Sequence, residues 1–299
     1  MQSEDLMPIG ELARRTGVNP VTLRAWERRY GLLKPQRTAK GHRLYGSDQV
    51  EQVQAILRWL ERGASVGQVR ELLEHAPSVA PQGDWQFREQ ALIEAVGNLS
   101  QRTLDQQLNQ AMALYPAVTL CEQLLLPLLH SLARRWQTHF NARLEQAFFH
   151  TWLRSKFGAR VYHDNQQLAG PPVLLVVDSD RGFDAHLWLC AWLFTSSGRA
   201  VEVLEFAVAG AQLQRAVSEL QAQVLVLLLG PRVDYAALER ALHGIDAAKL
   251  LGGETIALHQ TQLEAMQRPG LSLFDTPQAA LRLLQQLALT PPETTSSCN

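Results

Sequence analysis

Residues 9–45 read IGELARRTGVNPVTLRAWERRYGLLKPQRTAKGHRLY, a pattern that predicts two helices joined by a tight turn. Apolar residues recur at helical spacing up to Gly17, a residue suited to the positive φ with which helices often end. Asn19 then suits the N-cap and Pro20 the first position of a second helix over 21–30. A helix, a glycine-containing turn and a second helix together indicate a helix-turn-helix.

Positive charge is concentrated in this part of the chain. Between Leu12 and Tyr45 there are nine Lys or Arg residues and one acid, Glu27, whereas the whole chain has a formal net charge of −1. Such a cluster is typical of a surface that binds a polyanion, although a solvated helix face has a similar composition. Arg and short polar residues near the start of the second helix are suited to base edges and phosphates in a DNA major groove.

The segment after Gly31 predicts a small β-ribbon, or wing, because Pro35 and Gly41 interrupt two short extended stretches. Basic side chains continue along this wing. The residues that we expect to contact DNA, from the second helix and the wing together, are Thr22, Arg24, Arg28, Arg29, Lys34, Arg37, Lys40, His42 and Arg43.

Three side chains of this region allow more than one interpretation. Trp26 and Tyr30 either pack in the core and support the wing or contact phosphates. His42 has no cysteine or second histidine at ligand spacing, which argues against a metal site. Two further helices, each with one apolar face, are predicted over 49–62 and 65–74.

The sequence TLRAWERRYGL, followed by a basic wing ending in GHRLY and by two helices, resembles the DNA-binding domain of MerR-type transcription regulators. The resemblance implies a winged helix-turn-helix in which Thr22, Arg24 and Arg28 face DNA while Arg43 and His42 grip the backbone. A homodimer is expected, since one helix-turn-helix contacts too few base pairs for specific binding. The family likeness also implies distortion of promoter DNA, which aligns the promoter for RNA polymerase.

Breaks in composition divide the chain into three blocks. The segments APSVAPQG at 76–83 and DNQQLAGPP at 164–172 predict linkers, and the polar tail at 290–299 predicts disorder. We therefore predict an all-α winged helix-turn-helix domain over 6–76, a four-helix bundle over 84–163, and an α/β domain with a doubly wound, flavodoxin-like parallel sheet over 171–289.

The middle block resembles the helical cap that precedes the cobalamin-binding domain of light-sensing MerR-type regulators. In those proteins a tryptophan is followed by a Glu-His pair that packs on the upper face of the corrin. Here Trp136 is followed by Glu145 and Gln146, so a glutamine replaces the histidine. Trp136 is either a remnant of that site or an ordinary core residue. The helix that contains Pro127 is apolar on more than one side, which favours an additional domain or subunit contact.

The third block alternates strands with helices, which predicts a parallel sheet. Ligands of such sheets bind beyond the carboxyl ends of the strands. Asp178, Asp180 and Asp184 lie in or next to this edge, either as a magnesium or acid–base site or as strand-end acids that cap a helix. The residues that the edge offers are Asp178, Ser179, Asp180, Arg181, Gly230, Arg232, Gly252 and Gly253.

This block also resembles cobalamin-binding domains, which carry Asp-x-His-x-x-Gly after the first strand, Ser after the third and Gly-Gly after the fourth. The place of the cobalt-ligating histidine falls on Phe183 and that of the glycine on His186, which offers a shifted but poor alternative ligand three residues on. Only Gly252 and Gly253 keep the pattern. Because a phenylalanine cannot ligate cobalt, we expect no cofactor, cobalamin included.

Several classes of protein are excluded by composition and motifs. The first ten residues lack the features of a signal peptide and no apolar run reaches the roughly 18 residues of a membrane helix, so we expect a cytoplasmic protein without a membrane partner. Three scattered cysteines do not form a disulfide framework. Without a Walker A loop, a GxGxxG turn or a GxSxG elbow, we do not expect an enzyme.

Along its length the chain resembles a MerR-like activator of curli and biofilm genes. The resemblance rests on the first block, on GNLSQRTLDQQL at 97–108 and on LWLCAWLFTSSGRAVEVL at 187–204. It implies a transcription activator controlled by protein partners of a cyclic-di-GMP circuit. The alternative is a cobalamin-dependent, light- or ligand-sensing repressor of the MerR type.

Overall fold

The computed structural model describes residues 6–38, 41–61, 63–74, 83–138, 140–178, 182–266 and 270–289. Contacts divide the chain into two compact units, residues 1–149 and 150–299. The division falls inside a long helix, α9 Ala142–Asn165. The boundaries that we predicted for the three domains stay predictions. The predicted tail at 290–299 and nearly all of the linker at 76–83 lie outside the described residues.

The first unit begins with the predicted helix-turn-helix. Gly17 ends the first helix with φ of 71°, and the side chain of Asn19 accepts a hydrogen bond from the Val21 N–H at 2.8 Å, as an N-cap does. The second helix widens into a π-helical turn over Trp26–Tyr30. The helices are α1 Ile9–Thr16, α2 Pro20–Ala25, α3 Ser47–Glu61 and α4 Val66–Glu74.

The wing is part of a three-stranded antiparallel sheet. Two of its strands, β2 Gln36–Arg37 and β3 Arg43–Tyr45, are the predicted ribbon. A third strand, β1 Met7–Pro8, pairs with β3 on the other side and was not expected from the sequence. The central strand β3 therefore ties the wing to the residues that precede α1.

The bundle of the first unit consists of the four predicted helical segments. They are α5 Gly83–Gly97, α6 Gln101–Leu114, a third that runs from α7 Ala117–Leu120 through a π-helical turn at Cys121–Leu125 into α8 Leu126–Thr138, and α9 Ala142–Asn165, which continues into the second unit. The π-helical turn comes just before Pro127, which has no N–H for a regular helical hydrogen bond. The end of α9 also takes in the first two residues of the segment 164–172, which we predicted to be a linker.

The second unit contains the predicted doubly wound parallel sheet. Its strands are β4 Val173–Val177, β5 Val201–Leu204, β6 Val224–Leu228, β7 Ala248–Gly252 and β8 Leu271–Phe274. They lie in the order β5-β4-β6-β7-β8, and every neighbouring pair is parallel. All residues of β4 and β6 are buried, which explains their unbroken apolar sequences.

Helices connect these strands. A short helix after β7, α13 Gln260–Ala265, was not predicted. The connecting and final helices are α10 Ala185–Ser196, α11 Gly210–Glu219, α12 Tyr235–Leu242, α13 Gln260–Ala265 and α14 Pro277–Leu289. Among the helices described, none has the length and hydropathy needed to cross a membrane.

Candidate nucleic-acid interface

The second helix of the helix-turn-helix has one buried and one exposed face. Thr22 is 2% exposed and Trp26 is fully buried, because this side of α2 packs on α6 of the bundle. The prediction that Thr22 faces outward is therefore wrong. The outer side, which we call the exposed α2 face, carries Val21, Arg24, Arg28 and Arg29.

Trp26 joins the helix-turn-helix to the bundle. Its indole N–H donates a hydrogen bond of 2.7 Å to the carbonyl oxygen of Leu114, the last residue of α6. Of the two interpretations offered by the sequence, the structure favours core packing for Trp26. Tyr30 is partly buried and its ring lies close to Gly67 of α4, so it also packs within the domain.

A second set of contacts links the same two parts. The hydroxyl of Tyr115 donates to Asp84 at 3.3 Å and accepts a hydrogen bond from the N–H of Val66 at 3.4 Å. Burial raises the pKa of Tyr115 to about 12, so this hydroxyl keeps its proton and remains a donor at neutral pH. The helix-turn-helix is thus held against the bundle through both α2 and α4.

The acid Glu27 connects the second helix to the wing. Arg43 Nε donates to both carboxylate oxygens of Glu27, at 2.9 and 2.8 Å, and the Tyr45 hydroxyl donates to one of them at 3.3 Å. Burial, together with the Glu27 carboxylate, raises the pKa of Tyr45 to about 12. We predicted that Arg43 grips the DNA backbone, but its guanidinium is already bonded to Glu27 and fixes the position of the wing.

The other basic side chains of the wing point into solvent. Lys34, Arg37 and His42 are exposed, and the wing turn is closed by hydrogen bonds between Thr38 and His42. Lys40 lies outside the described residues. Of the residues that we expect to contact DNA, Arg24, Arg28, Arg29, Lys34 and Arg37 are thus exposed in the structure, and their contact with DNA stays a prediction.

Acidic residues at the edge of the parallel sheet make hydrogen bonds within the second unit. Asp184 caps α10 by accepting from the Leu187 N–H at 3.2 Å, and Asp178 accepts from the Gly230 N–H at 3.0 Å. The helix-capping interpretation is therefore confirmed for Asp184, whereas Asp178 bonds to the loop that follows β6. Ser179, Asp180 and Arg181 lie outside the described residues, and within the described ones no cluster of His, Cys, Asp and Glu suited to a metal was found.

A buried histidine network at this edge was missed by sequence analysis. His259 is 5% exposed; its Nδ1 lies 2.7 Å from the Tyr235 hydroxyl and its Nε2 2.7 Å from the Gly230 carbonyl oxygen. A proton on Nε2 satisfies both contacts, because the carbonyl oxygen can only accept. His259 lies 24 residues from Tyr235 and 29 from Gly230 in the sequence, so no local pattern pointed to the network. The network fixes the loop that follows β6.

The residues at the positions expected for cobalamin pack against other parts of the protein. The Phe183 ring lies 4.8 Å from the ring of His150, centroid to centroid. A Cβ on Gly252 would come within 2.1 Å of the Phe274 carbonyl oxygen, so the pairing of β7 with β8 itself requires glycine there. Gly253 has φ of +114°, a conformation that also favours glycine without any ligand.

Trp136 and Glu145 of the bundle are paired with each other. The Trp136 indole N–H donates to Glu145 at 3.2 Å, and Arg135 donates to both Glu145 oxygens at 2.9 and 2.8 Å. Glu145 is only 2% exposed. The two residues singled out as a remnant thus form a hydrogen-bonded cluster with Arg135, and the Trp136 ring also packs on Phe149.

Comparison with known proteins matches two parts of the chain. Residues 7–76 match the family described as MerR HTH family regulatory protein, and residues 88–160 match the family described as B12 binding domain. HTH-type transcriptional regulator MlrA of Escherichia coli (strain K12) is 35% identical over 207 residues, covering 67% of this chain and 79% of the relative. The chain belongs to the MerR family.

Two other regulators add to this relationship. HTH-type transcriptional regulator MlrA of Salmonella typhimurium (strain SL1344) is 32% identical over 203 residues, 67% of this chain and 79% of that protein. HTH-type transcriptional repressor CarA of Myxococcus xanthus is 29% identical over 222 residues, 73% of this chain and 75% of that protein. This MerR-family protein is therefore a transcriptional regulator, as its sequence predicted.

The match of residues 88–160 to a B12 binding domain makes the fit of cobalamin a question for this MerR-family protein. Phe183 has no lone pair for cobalt, and both oxygens of Glu145 are bonded to Arg135 or Trp136. Gly252 is explained by its contact with Phe274. Phe183 therefore supplies no cobalt ligand, and the absence of cobalamin stays a prediction.

Proposed function

We propose that the protein is a homodimeric transcription regulator that binds promoter DNA through the exposed α2 face and the wing. The observation that carries the proposal is the outward position of Arg24, Arg28 and Arg29 on a helix whose other face is fixed by Trp26. Cations placed on a rigid helix match the phosphates and guanine edges of a major groove.

Two copies of this domain, related by a two-fold axis, supply the specificity of one operator. The short α4 helix, Val66–Glu74, offers little length for a coiled coil, so we place the dimer contacts in the bundle. The family resemblance supports RNA polymerase as a partner, with the promoter bent and untwisted between the two wings.

We further propose an activator role in biofilm or curli gene control, through protein partners such as cyclic-di-GMP signalling enzymes. The support is the similarity to MlrA, which extends beyond the DNA-binding domain to about two thirds of the chain. A pull-down with the full chain and no added ligand tests whether such an enzyme binds.

Genome-wide mapping of sites bound by the full chain tests the main proposal. We expect enrichment of inverted-repeat sites inside promoters, and lower transcription of the adjacent genes when the protein is absent. Bound sites without a repeated half-site argue against the homodimer, and increased transcription on deletion argues for a repressor. Full-length protein that prefers no double-stranded oligonucleotide at modest ionic strength would overturn the proposal.

A cobalamin-dependent sensor and repressor is the second candidate, because residues 88–160 match a B12 binding domain and CarA is similar over 73% of the chain. The test is incubation of the purified chain with cobalamin, followed by gel filtration. Visible absorbance that comigrates with the protein, together with a higher Tm in the presence of cobalamin, supports this candidate. A colourless protein with an unchanged Tm rejects it.

A further inference from the structure

The exposed α2 face contains one apolar residue among its cations. Val21 is 57% exposed, although a buried position for its methyl groups would favour folding. It lies in the first turn of α2, and its N–H is bonded to the Asn19 side chain at 2.8 Å. The side chain is therefore presented to solvent from a backbone that is fixed by the helix cap.

Val21 shares a helix face with the cations that we assign to DNA. Arg24 follows it by three residues, which is the spacing of neighbours along one side of a helix, and Arg28 is exposed in the π-helical turn that continues α2. Thr22, the adjacent residue, is turned into the contact with α6 and is 2% exposed. Val21 is thus the residue near the start of this helix that points the same way as Arg24.

The chemistry of the major groove limits what an apolar side chain recognises there. Residues near the N-terminus of a recognition helix contact base edges. Of the four bases, thymine presents an apolar group in the major groove, the C5 methyl, and the other edges present hydrogen-bonding groups. The positive charge of Arg24 and Arg28 holds the helix against the groove, and Val21 supplies a contact that a charged residue does not.

We propose that Val21 determines specificity by packing on a thymine methyl group in each half-site. The inference rests on the proposed DNA-binding function and adds one base preference to it. It assigns to Val21 the base-contacting role that the sequence suggested for Thr22.

The test uses full-length protein and a duplex selected by that protein from a random library. Each thymine of the half-site is replaced in turn by deoxyuridine, which removes only the C5 methyl. Burial of one methyl contributes about 0.8 kcal/mol, or about fourfold in Kd, so one replacement in each of the two half-sites is expected to weaken binding by about fifteenfold. Val21→Ala is expected to abolish this sensitivity at that position.

Thr22→Ser is the matched control, because it removes a methyl group one residue away on the buried face. Arg24→Ala is the second control, which weakens binding overall. Both variants are expected to keep the deoxyuridine effect at the Val21 position. A Tm for Val21→Ala equal to that of the parent shows that the exposed position has not altered folding.

Two results overturn the inference and are distinct from a failure of the proposed function. The first is a Val21→Ala variant with the same sensitivity to deoxyuridine as the parent at every thymine. The second is a selected half-site without any thymine whose replacement matters. A parent protein that selects no duplex at all instead contradicts DNA binding itself.

Discussion

The exposed α2 face and the carboxyl edge of the parallel sheet are both rich in polar side chains, but those side chains have different partners. On α2, Arg24, Arg28 and Arg29 extend into solvent. At the sheet edge, Asp178 accepts from a loop N–H and His259 bonds to Tyr235 and a carbonyl group. Polar residues indicate a ligand site when their groups point outward, whereas the same residue types stabilise the fold when they bond to each other.

The largest expected effect of a single substitution is on DNA binding. Arg24→Ala removes an outward cation in each half-site, at about 1–3 kcal/mol per contact, so we expect Kd for the selected operator to rise about a hundredfold for a dimer. Arg215→Ala is the matched control, because Arg215 is equally exposed but pairs with Glu219 on α11. Titration of a labelled duplex measures both. Equal affinities for the two variants contradict the assignment of the α2 face.

The sheet edge is tested by His259→Phe. This change leaves the Gly230 carbonyl and the Tyr235 hydroxyl without their shared partner, so we expect the free energy of unfolding to fall by about 2 kcal/mol. Tyr235→Phe removes one hydrogen bond and is expected to cost about 1 kcal/mol. Urea unfolding measures both. Affinity for DNA should stay within twofold, and a larger loss would show that this edge influences the DNA-binding domain.

Arg43 and Arg37 separate a positioning role from a phosphate contact within the wing. Because Arg43 is bonded to Glu27, Arg43→Ala is expected to weaken binding severalfold with little change in its salt dependence. Arg37 is exposed, and its Nη2 lies 3.9 Å from the nearest oxygen of Glu27. We therefore expect Arg37→Ala to lower the slope of log K against log salt by about one per half-site. Binding measured from 50 to 200 mM salt distinguishes them. A flatter slope for Arg43→Ala would instead assign a phosphate contact to Arg43.

Local signals account for the part of the fold that the sequence predicted. Gly17, Asn19 and Pro20 act within a few residues of themselves, so the helix-turn-helix is visible without tertiary information. The alternation of buried strands with helices likewise predicts a parallel sheet, because both faces must be covered. The strand at Met7–Pro8 is only two residues long, which is too short to show an alternation of apolar and polar residues in the sequence.

Distant contacts explain what sequence patterns could not predict at the candidate site. Thr22 appears polar and outward on an isolated helix, but α6 covers it, and the Trp26 indole bonds to Leu114, 88 residues away. Glu27 looks like a stray acid in a basic segment, whereas it is the residue that holds Arg43. The charge and the apolar periodicity of the sequence identify the candidate DNA-binding surface. Only the packed structure separates the residues that face solvent from those that support them.

The smallest expected effect concerns the helix that packs beside α2. Arg14 and Arg15 donate to Glu11 and lower its pKa from 4.5 to about 2. Since this carboxyl group is more acidic in the folded state, its contribution to stability is complete above about pH 4.5 and is lost as the pH falls toward 2. Glu11→Gln is expected to remove a small part of the acid sensitivity of the free energy of unfolding.

Urea unfolding of the parent and of Glu11→Gln between pH 6 and pH 3 measures this difference. Because Glu11, Arg14 and Arg15 lie at the surface, added salt is expected to shrink the difference. The same variant leaves Arg14 and Arg15 without Glu11 on α1, the helix that packs against α2, so DNA affinity is expected to stay equal or rise slightly. A loss of affinity in Glu11→Gln would mean that Glu11 positions these arginines for DNA, as Glu27 positions Arg43.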